Sequence, residues 1–285
     1  MSIIYVVATP IGNLSDISER ALEALRSSDI IAAEDTRNTK TLLTHFGINT
    51  TRLTSYHKFN EVEKSKELIG TLLDQDLILS IVSDAGTPCI SDPGAKIVSC
   101  AREKGIKVVP IPGPCAAIAA LSISGFEIKE FSFYGFLERR DSAQIKSLNS
   151  IRNNSKIAII YESPKRIKQL ILNISLVDNA ALICLCNDIT KYYEFTIVGY
   201  TNEILNYLES NEKSDKGEYC IVVKWSKKII KDSLDEKLST EAVIFDLVLK
   251  GYTKEEIFER LQKIGYKRNQ LYKAFEYVKS FNYNK

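Results

Sequence analysis

A buried strand and a long polar turn meet in the segment Ile81-Val82-Ser83-Asp84-Ala85-Gly86-Thr87-Pro88-Cys89-Ile90-Ser91-Asp92-Pro93-Gly94. The apolar residues from Leu77 to Val82 predict the strand, and two carboxylates, two glycines and two prolines follow it. Such a turn at the carboxyl end of a strand is typical of a ligand-binding loop in α/β proteins. A plain strand-to-helix connection is the alternative, but the turn is longer than a connection needs.

A second loop of this kind lies near residue 1. The apolar run from Ile3 to Val7 predicts a strand, and it lacks the basic lead of a signal peptide. The turn Ala8-Thr9-Pro10-Ile11-Gly12-Asn13-Leu14 follows, and then a helix with Asp16 or Ser18 as its N-cap. The chain contains neither G-x-G-x-x-G nor a P-loop motif, so the usual signals of dinucleotide binding and P-loop hydrolysis are missing.

Strands and helices alternate along the first part of the chain, which predicts a mainly parallel sheet covered by helices. We expect strands near 3–8, 30–33, 77–82 and 107–110, and helices near 16–26, 39–46, 61–73, 94–104 and 114–123. The alternation pauses around residues 125–129, where we place a domain boundary. The sequence therefore predicts an α/β fold whose N-terminal α/β domain, residues 1–126, carries both loops.

Residues 127–226 predict a second, mixed α/β domain. We expect strands near 131–134, 157–161, 181–186, 194–199 and 218–225, and helices near 141–150, 164–173 and 201–210. Residues 227–285 predict a charged linker followed by a small helix-turn-helix-like unit with helices near 240–250, 254–264 and 267–280. Thr253 and Glu256 have the spacing of a capping box. This helical unit contacts RNA or serves as a packing or dimerisation appendage, and the sequence leaves both open.

Composition is that of an ordinary soluble protein and narrows the function only slightly. Of 285 residues, 45% are hydrophobic and 26% are charged, and no apolar run is long enough to span a membrane. The six cysteines are scattered, so we expect reduced thiols in a cytoplasmic protein. With two histidines in the chain, the spacing predicts no metal site.

The net charge of +2 is distributed unevenly. Residues 129–168 contain nine lysines and arginines against four acids, and residues 226–285 contain thirteen against nine. A basic excess in the last two thirds of the chain fits an RNA-facing surface. A solvated lysine-rich surface without a nucleic-acid partner is the alternative.

Seven short segments, in order, resemble the tetrapyrrole-methylase superfamily of S-adenosylmethionine methyltransferases. They are Ala8-Thr9-Pro10-Ile11-Gly12-Asn13-Leu14, Ala33-Glu34-Asp35-Thr36-Arg37, Tyr56-His57-Lys58-Phe59-Asn60-Glu61, Val82 to Pro93, Pro110-Ile111-Pro112-Gly113-Pro114-Cys115-Ala116-Ala117, Tyr134-Gly135-Phe136-Leu137 and Tyr161-Glu162-Ser163-Pro164. Within the superfamily, the chain is similar to the branch that methylates a cytidine 2′-hydroxyl in 16S rRNA of the small ribosomal subunit. The resemblance implies two α/β domains with S-adenosyl-L-methionine (SAM) in the cleft between them, and a homodimer.

The resemblance also implies which residues bind the cofactor. They are the residues at strand ends and the start of one helix: Pro10, Asp84, Ala85, Gly86, Thr87, Ala116, Ala117, Tyr161 and Gly217. A carboxylate such as Asp84 would hold the ribose hydroxyls or the amino group of SAM. The alternative for Pro112-Gly113-Pro114, which precedes this helix, is a rigid turn into a core helix.

The candidate catalytic carboxylates are Glu34 and Asp35, which follow an apolar strand and precede Arg37. A ribose hydroxyl is a weak nucleophile that gains from a general base, and a guanidinium can hold a phosphate. The alternative is that Asp35 caps a helix and forms a salt bridge with Arg37.

His57 and Lys191 complete the set of candidate catalytic residues. His57 can exchange protons near neutral pH, although a lone histidine is more often structural. Lys191 ends Cys186-Asn187-Asp188-Ile189-Thr190-Lys191, where relatives in the superfamily read Ala-Arg-Glu-Leu-Thr-Lys, so the roles of their arginine and glutamate do not transfer.

Three functions fit the sequence. The first is methylation of ribosomal RNA on a cytidine 2′-oxygen. The second is methylation of a small tetrapyrrole or corrinoid, because a shared fold does not determine the substrate. The third is a non-catalytic RNA-binding assembly factor. The ordered motifs and the basic excess favour the first.

Overall fold

The computed structural model describes residues 2–49, 52–211, 213–226, 239–263 and 265–282. Its contacts divide the chain into a unit of residues Met1–Lys228 and a unit of residues Ile229–Lys285. The first unit contains two five-stranded sheets, and the second contains helices. Of the charged linker predicted from residue 227 onward, residues 227–238 lie outside the described residues.

The first sheet is parallel throughout. Its strands are β1 (Ile3–Val7), β2 (Ile30–Ala33), β3 (Leu53–Ser55), β4 (Ile78–Val82) and β5 (Lys107–Ile111), in the order β3-β2-β4-β1-β5. All four residues of β2 are buried, as expected for a strand covered on both faces. The parallel arrangement brings the carboxyl ends of the five strands, and the loops that follow them, to one edge of the sheet.

Helices cover both faces of this sheet. They are α1 (Glu19–Ser27), α2 (Thr36–His45), α3 (Glu61–Asp74) and α4 (Ala95–Glu103), followed by α5 (Ala116–Ile123). Alternate residues of β2 point to opposite faces, so Ile31 packs with α1 and α2 whereas Ile30 packs with α3 and α4. The predicted alternation of strands and helices is confirmed in this part of the chain.

The second sheet is mixed, as predicted. Its strands are β6 (Ser132–Phe136), β7 (Ile157–Glu162), β8 (Leu182–Asn187), β9 (Phe195–Tyr200) and β10 (Tyr219–Lys224), in the order β6-β7-β10-β8-β9. Only β6 and β7 are parallel, and the remaining pairs are antiparallel. The amino end of β10 therefore lies beside the carboxyl ends of β7 and β8.

Both faces of the second sheet are also covered. The helices α6 (Asp141–Asn154), α7 (Ile167–Val177) and α8 (Thr201–Ser210) pack on one face. The other face receives α5, whose residues Ala117, Ala120 and Leu121 pack against β7, β8 and β10. Since α5 directly follows the first sheet, it holds the two sheets together.

Residues 239–282 contain three helices: α9 (Thr240–Leu249), α10 (Lys254–Lys263) and α11 (Arg268–Asn282). Their apolar side chains form a separate core. The predicted capping box is confirmed, because the Thr253 backbone N–H donates to the Glu256 carboxylate (2.8 Å) and the Glu256 N–H donates to Thr253 Oγ1 (3.4 Å). No described helix has the length and apolar character that crossing a membrane requires.

Two details of the first sheet differ from the prediction, and a third decides between two caps that the prediction left open. The sequence analysis missed β3, because Leu53–Ser55 is short and half-buried and lacks an apolar run. Helix α2 begins three residues earlier than predicted, since Asp35 caps it. Helix α1 is capped by Ser18, whereas Asp16 lies in a preceding 3₁₀ turn. The domain boundary after residue 126 stays a prediction.

Candidate active site in the cleft between the two sheets

A cavity of about 340 Å³ lies where the loops of the two sheets meet. The first sheet and its loops contribute residues after β1, β4 and β5, and the second contributes residues at the ends of β6, β7, β8 and β10. The lining residues are Ile11, Ala85, Gly86, Thr87, Ile90, Ser91, Asp92, Cys115, Ala116, Phe136, Tyr161, Glu162, Ser163, Pro164, Ile189, Glu218, Tyr219 and Cys220. The mixture of small, apolar and few charged residues is typical of a small-molecule site.

The loop after β4 is held against the loop after β1 by backbone hydrogen bonds. Thr9 N–H donates to the Gly86 carbonyl (2.9 Å) and Gly86 N–H donates to the Thr9 carbonyl (3.0 Å). Gly86 has φ +83°, a conformation that side chains disfavour. Thr87 Oγ1 donates to the Pro114 carbonyl (3.3 Å), so the three loops of the first sheet form one rigid wall of the cleft.

Backbone strain is concentrated at the rim of this cleft. Among the described residues, the non-glycine residues with positive φ are Cys89, Ser91, Asp188 and Thr190. All four lie in two loops, 83–94 after β4 and 188–194 after β8. Strained residues persist where the surrounding structure over-determines them, and they cluster at functional sites.

Two glycines let these strained loops reach across the cleft. A Cβ on Gly12 would lie 2.5 Å from Lys191 Cγ, and a Cβ on Gly135 would lie 2.6 Å from Ser91 Oγ. The loop after β8 therefore packs on the first sheet's β1 loop, and the loop after β4 packs on β6. This mutual packing fixes the width of the cleft.

Tyr161 lines the cleft, and its ring contacts the rings of two phenylalanines. Its ring centroid lies 5.1 Å from that of Phe133 and 5.8 Å from that of Phe136. The Tyr161 hydroxyl accepts a hydrogen bond from the Ala117 N–H (3.1 Å) at the start of α5. Burial raises the pKa of Tyr161, so the hydroxyl stays protonated and acts as a fixed polar group.

Three carboxylates and one histidine gather at the carboxyl ends of β2, β3 and β4. Glu34 follows β2, His57 follows β3 and Asp84 follows β4, while Asp92 comes from the strained loop. Glu34 interacts electrostatically with Asp84 and His57, and Asp92 interacts with Glu34 and Asp84. We call these four residues the acidic cluster. Asp92 also lines the cavity, so the cluster borders the cleft.

Burial and mutual repulsion shift the pKa of two of these carboxyls upward. Burial is the main cause for Asp92, and the negative charges of Glu34 and Asp84 add to it, so its pKa rises to about 6. The pKa of Glu34 is also raised, mainly by burial, although a backbone hydrogen bond from Asp84 and the nearby His57 oppose the shift. A carboxyl poised near neutral pH in a cleft is suited to accept a proton from a substrate.

Known proteins resemble the chain over most of its length. Residues 3–204 match the family described as Tetrapyrrole (Corrin/Porphyrin) Methylases. The protein named Ribosomal RNA small subunit methyltransferase I from Escherichia coli O157:H7 is 40% identical over 95% of this chain and 93% of its own length. Its namesake from Bacillus subtilis (strain 168) is 38% identical over 91% of this chain and 89% of its own length.

The chain belongs to the tetrapyrrole methylases, and within them to the ribosomal RNA small subunit methyltransferase I family. Solved structures show the same fold. Cobalt precorrin-4 methyltransferase aligns with a TM-score of 0.57 at 13% identity, covering 78% of this chain and 95% of that one. Uroporphyrin-III C-methyl transferase from Thermus thermophilus, complexed with S-adenyl homocysteine, aligns with a TM-score of 0.54 at 11% identity, covering 78% and 96%.

The cleft of this methylase contains five of the nine predicted cofactor-binding residues: Ala85, Gly86, Thr87, Ala116 and Tyr161. The other four do not line it. Pro10 and Asp84 line a second cavity, of about 270 Å³. Ala117 is buried against the second sheet, with its N–H already bonded to Tyr161. Gly217 directly precedes Glu218 in the chain and lies against the side chains of Asn187 and Asp188.

Asp84 has a structural contact that the sequence analysis did not anticipate. Its carboxylate accepts from the Asp35 N–H (3.0 Å) and from Asn38 Nδ2 (3.1 Å), and so ties the end of β4 to the start of α2. Each carboxylate oxygen therefore accepts one hydrogen bond from the start of α2. The interpretation of Asp84 as the residue that holds SAM's ribose hydroxyls or amino group stays a prediction.

The structural alternative for Asp35 is confirmed. Asp35 caps α2 by accepting from the Arg37 N–H (2.8 Å), and its carboxylate also accepts from Arg37 Nε (3.1 Å) and Nη2 (2.6 Å). These hydrogen bonds lower the pKa of Asp35 to about 2. A carboxylate this acidic is a poor proton acceptor at neutral pH, which argues against Asp35 as the general base, and its catalytic role stays a prediction. Arg37 is 89% exposed and remains available to a phosphate.

Lys191 is held by two carboxylates. Its Nζ donates to Asp188 Oδ1 (2.8 Å) and Glu218 Oε2 (2.9 Å). Partial burial lowers its pKa, but these hydrogen bonds outweigh that effect and the net shift is upward. The raised pKa favours the charged form of Lys191, whose stem packs on Gly12 and joins the loops of the two sheets, and its catalytic role stays a prediction.

The sequence analysis missed Asp92 as a candidate functional residue. It was quoted as part of a turn, where aspartate is common for conformational reasons alone. No sequence signal distinguishes a turn-forming aspartate from one that lines a cleft, because the distinction depends on Glu34, 58 positions earlier in the chain. Among the described residues, no group of three or more His, Cys, Asp or Glu side chains is arranged to hold a metal ion.

Proposed function

We propose that this methylase transfers a methyl group from SAM to the 2′-hydroxyl of a cytidine in 16S rRNA of the small ribosomal subunit. The observation that carries the proposal is Asp92, a carboxyl group with a pKa of about 6 on the wall of the cleft. The relatives named Ribosomal RNA small subunit methyltransferase I support the choice of RNA as substrate.

The residues of the cleft fit SAM. The small residues Ala85, Gly86 and Ala116 leave room for a ligand to approach the backbone closely. Phe136 and Ile90 provide apolar surface for an adenine ring, and Glu218 provides a carboxylate for a cationic or hydroxyl group. We assign cofactor binding to these residues together with Thr87 and Tyr161. When bound, SAM supplies a methyl group that its sulfonium has already activated for in-line displacement.

The acidic cluster supplies the proton acceptor. As the ribose oxygen bonds to the methyl carbon, its hydroxyl proton passes to a carboxylate, and general-base catalysis of this kind contributes about 100- to 10,000-fold. Asp92 is the carboxylate best placed, since it lies on the cleft, and the charges of Glu34 and Asp84 keep its proton affinity high. The raised pKa of Glu34 also suits it to accept a proton, although Glu34 itself does not line the cavity.

Charged side chains around the cluster suit a polyanionic substrate. Arg37, in the first turn of α2, and Lys58, on the loop after β3, are both exposed. We propose that they contact backbone phosphates of the RNA, together with the basic residues of 129–168. A homodimer and a cytoplasmic location remain predictions from the sequence.

The test is methyl transfer from labelled SAM to small ribosomal subunits from a strain lacking this gene, followed by mass spectrometry of the nucleosides. We expect a 2′-O-methylated cytidine in the decoding region with the wild-type protein and none with Asp92→Asn. Unlabelled subunits and rRNA, with SAM binding intact, would contradict the proposal and turn attention to label transfer onto a corrinoid. RNA binding that is indifferent to SAM, without transfer, would indicate an assembly factor.

A further inference from the structure

Phe59 projects into solvent beside the acidic cluster. It is 95% exposed, more than any other large hydrophobic side chain in the described part of the chain. A phenylalanine in this position contributes nothing to the core, and its exposed ring is available to a partner. Its immediate neighbour in the chain, Lys58, is exposed as well.

The loop that carries Phe59 is rigidly braced. Asn60 Oδ1 accepts from the His57 N–H (2.8 Å), Asn60 Nδ2 donates to the Ser55 carbonyl (3.1 Å), and the Asn60 N–H donates to the His57 carbonyl (3.0 Å). These bonds close a tight turn between β3 and α3. Asn60 therefore holds the loop in shape.

Glu61 anchors the same loop to the strained loop of the cleft. Its Oε1 accepts from the Gly94 N–H (3.1 Å) and the Lys96 N–H (3.3 Å) at the start of α4, and from the Tyr56 hydroxyl (3.3 Å). The Tyr56 hydroxyl is also bonded to Ser65 (3.0 Å). These bonds brace the backbone on both sides of Phe59, so little backbone entropy is lost when a partner covers the ring.

Phe59 lies next to the acidic cluster, which contains the proposed proton acceptor. Its ring packs edge-on against His57, with centroids 6.0 Å apart. His57 interacts electrostatically with Glu34, and Glu34 with Asp92 on the cleft wall. A flat apolar ring, next to the exposed cation Lys58, has the chemistry that binds an unpaired base and its phosphate.

We propose that Phe59 is a stacking platform for an unpaired nucleobase of the RNA substrate, either the target cytosine or its neighbour. This inference rests on the proposed function and adds a binding subsite to it. Stacking on Phe59 would hold the base outside the helix, so that its ribose reaches the acidic cluster. Phe59 is thus a positioning residue, since it contacts the base and not the reacting oxygen.

Steady-state methylation of small subunits tests the platform first. Base–aromatic stacking is worth about 1–3 kcal/mol per base, so Phe59→Ala should raise KM for the subunit by about 5- to 150-fold and leave SAM binding unchanged. Phe59→Tyr and Phe59→Trp should restore KM, because a ring remains. Phe59→Leu should not, since it keeps apolar bulk without a flat face. Leu176→Ala, at an exposed site on α7, controls for loss of surface apolar area.

Fluorescence of Phe59→Trp tests the contact directly. The chain's own tryptophan, Trp225, is 6% exposed and supplies a constant background. Single-stranded oligocytidylate should quench the new tryptophan, whereas an abasic oligonucleotide of equal length and charge should not. Leu176→Trp is the matched control and should respond to neither.

Each result bears on the proposal separately from the function. Wild-type KM in Phe59→Ala, full rescue by Phe59→Leu, or equal quenching by the abasic strand would overturn the platform. Rescue by leucine would instead indicate an apolar contact with a ribosomal protein. If the wild-type protein methylates no RNA, the proposed function fails, while quenching by oligocytidylate alone would still support the stacking subsite.

Discussion

Carboxylates on the two sides of the cleft differ in whether they form ion pairs. On the first sheet, Glu34, Asp84 and Asp92 lie near one another, and within the described residues no lysine or arginine forms an ion pair with any of them. On the second sheet, Lys191 is bonded to Asp188 and Glu218. Buried Glu162 is bonded to Arg166 at 2.6 Å in the same sheet.

This difference indicates which charged groups are suited to accept a proton and which hold the loops in position. Unbalanced carboxylates destabilise a folded protein, and they persist where a proton acceptor is needed. Paired charges hold loops in place. We therefore expect the first sheet to supply the reacting edge of the cleft and the second to supply its rigid counterpart.

Removing the carboxylates should have the largest effect. We expect Asp92→Asn and Glu34→Gln each to lower methyl transfer by about 100- to 10,000-fold while SAM binding persists. In the wild type, kcat/KM should rise with pH through an apparent pKa of about 6, as Asp92 loses its proton. A pH–rate profile of each variant measures this, and full activity in both would show that the first sheet is not the reacting edge.

Adding a methyl group where the loops of the two sides touch should have the next largest effect on methyl transfer. Gly12→Ala would place a Cβ against Lys191 and Thr190, and we expect a loss of about 1–3 kcal/mol of stability with reduced transfer. Gly70→Ala is the matched control, because a Cβ there meets nothing within 4 Å in helix α3. Thermal unfolding should show Gly70→Ala to be neutral or stabilising by about 0.5–1 kcal/mol. Equal behaviour of the two variants would argue against interlocked loops.

The burial and mutual repulsion of the clustered carboxylates should lower the free energy of unfolding at higher pH. The pKa of Asp92 is higher in the folded than in the unfolded state, so the folded protein binds more protons between about pH 4 and pH 6. Its contribution to stability therefore falls as pH rises through that window. Asp92→Asn should stabilise the protein at pH 8 by on the order of 1 kcal/mol after allowing for solvent screening. Denaturant unfolding at pH 4 and pH 8 would show whether the gain is confined to the higher pH.

Neutralising Lys191 should matter less. Lys191→Met removes a partly exposed ion pair, so we expect a loss of about 1 kcal/mol or less and only a few-fold change in transfer. Measuring kcat and the free energy of unfolding on the same preparation separates the two effects. A loss of transfer as large as that of Asp92→Asn, at full stability, would support the prediction that Lys191 is catalytic.

The smallest effect belongs to Asp35. Asp35→Asn keeps an oxygen that can cap α2, and the group has no base to supply, so transfer at pH 7 should stay near the wild-type rate. Because the folded-state pKa of Asp35 is depressed, its own contribution to stability is present above its unfolded pKa and is lost as pH falls toward about 2. Comparing Asp35→Asn with Glu34→Gln at pH 7 discriminates two adjacent carboxylates directly.

The amino-acid sequence by itself determined the architecture of this protein. Buried apolar runs such as Ile30–Ala33 and turn residues such as Gly86 act locally, so the elements could be predicted from their own residues. Only short, half-buried Leu53–Ser55 was missed in the first sheet. The resemblance to the methylases predicted the cleft, and the residues that line it on one side were found from strand ends.

Tertiary structure alone decided which charged groups are available for chemistry. Glu34 and Asp35 are adjacent in the chain, yet one faces Asp84 and Asp92 and the other is bonded to Arg37. The pKa of a carboxyl group depends on its burial and on charges brought near it from distant loops. Those distances are set by packing between strands, which is why the surroundings of Lys191 and Asp92 emerged only from the folded chain, and why the sequence left two alternatives open for Asp35.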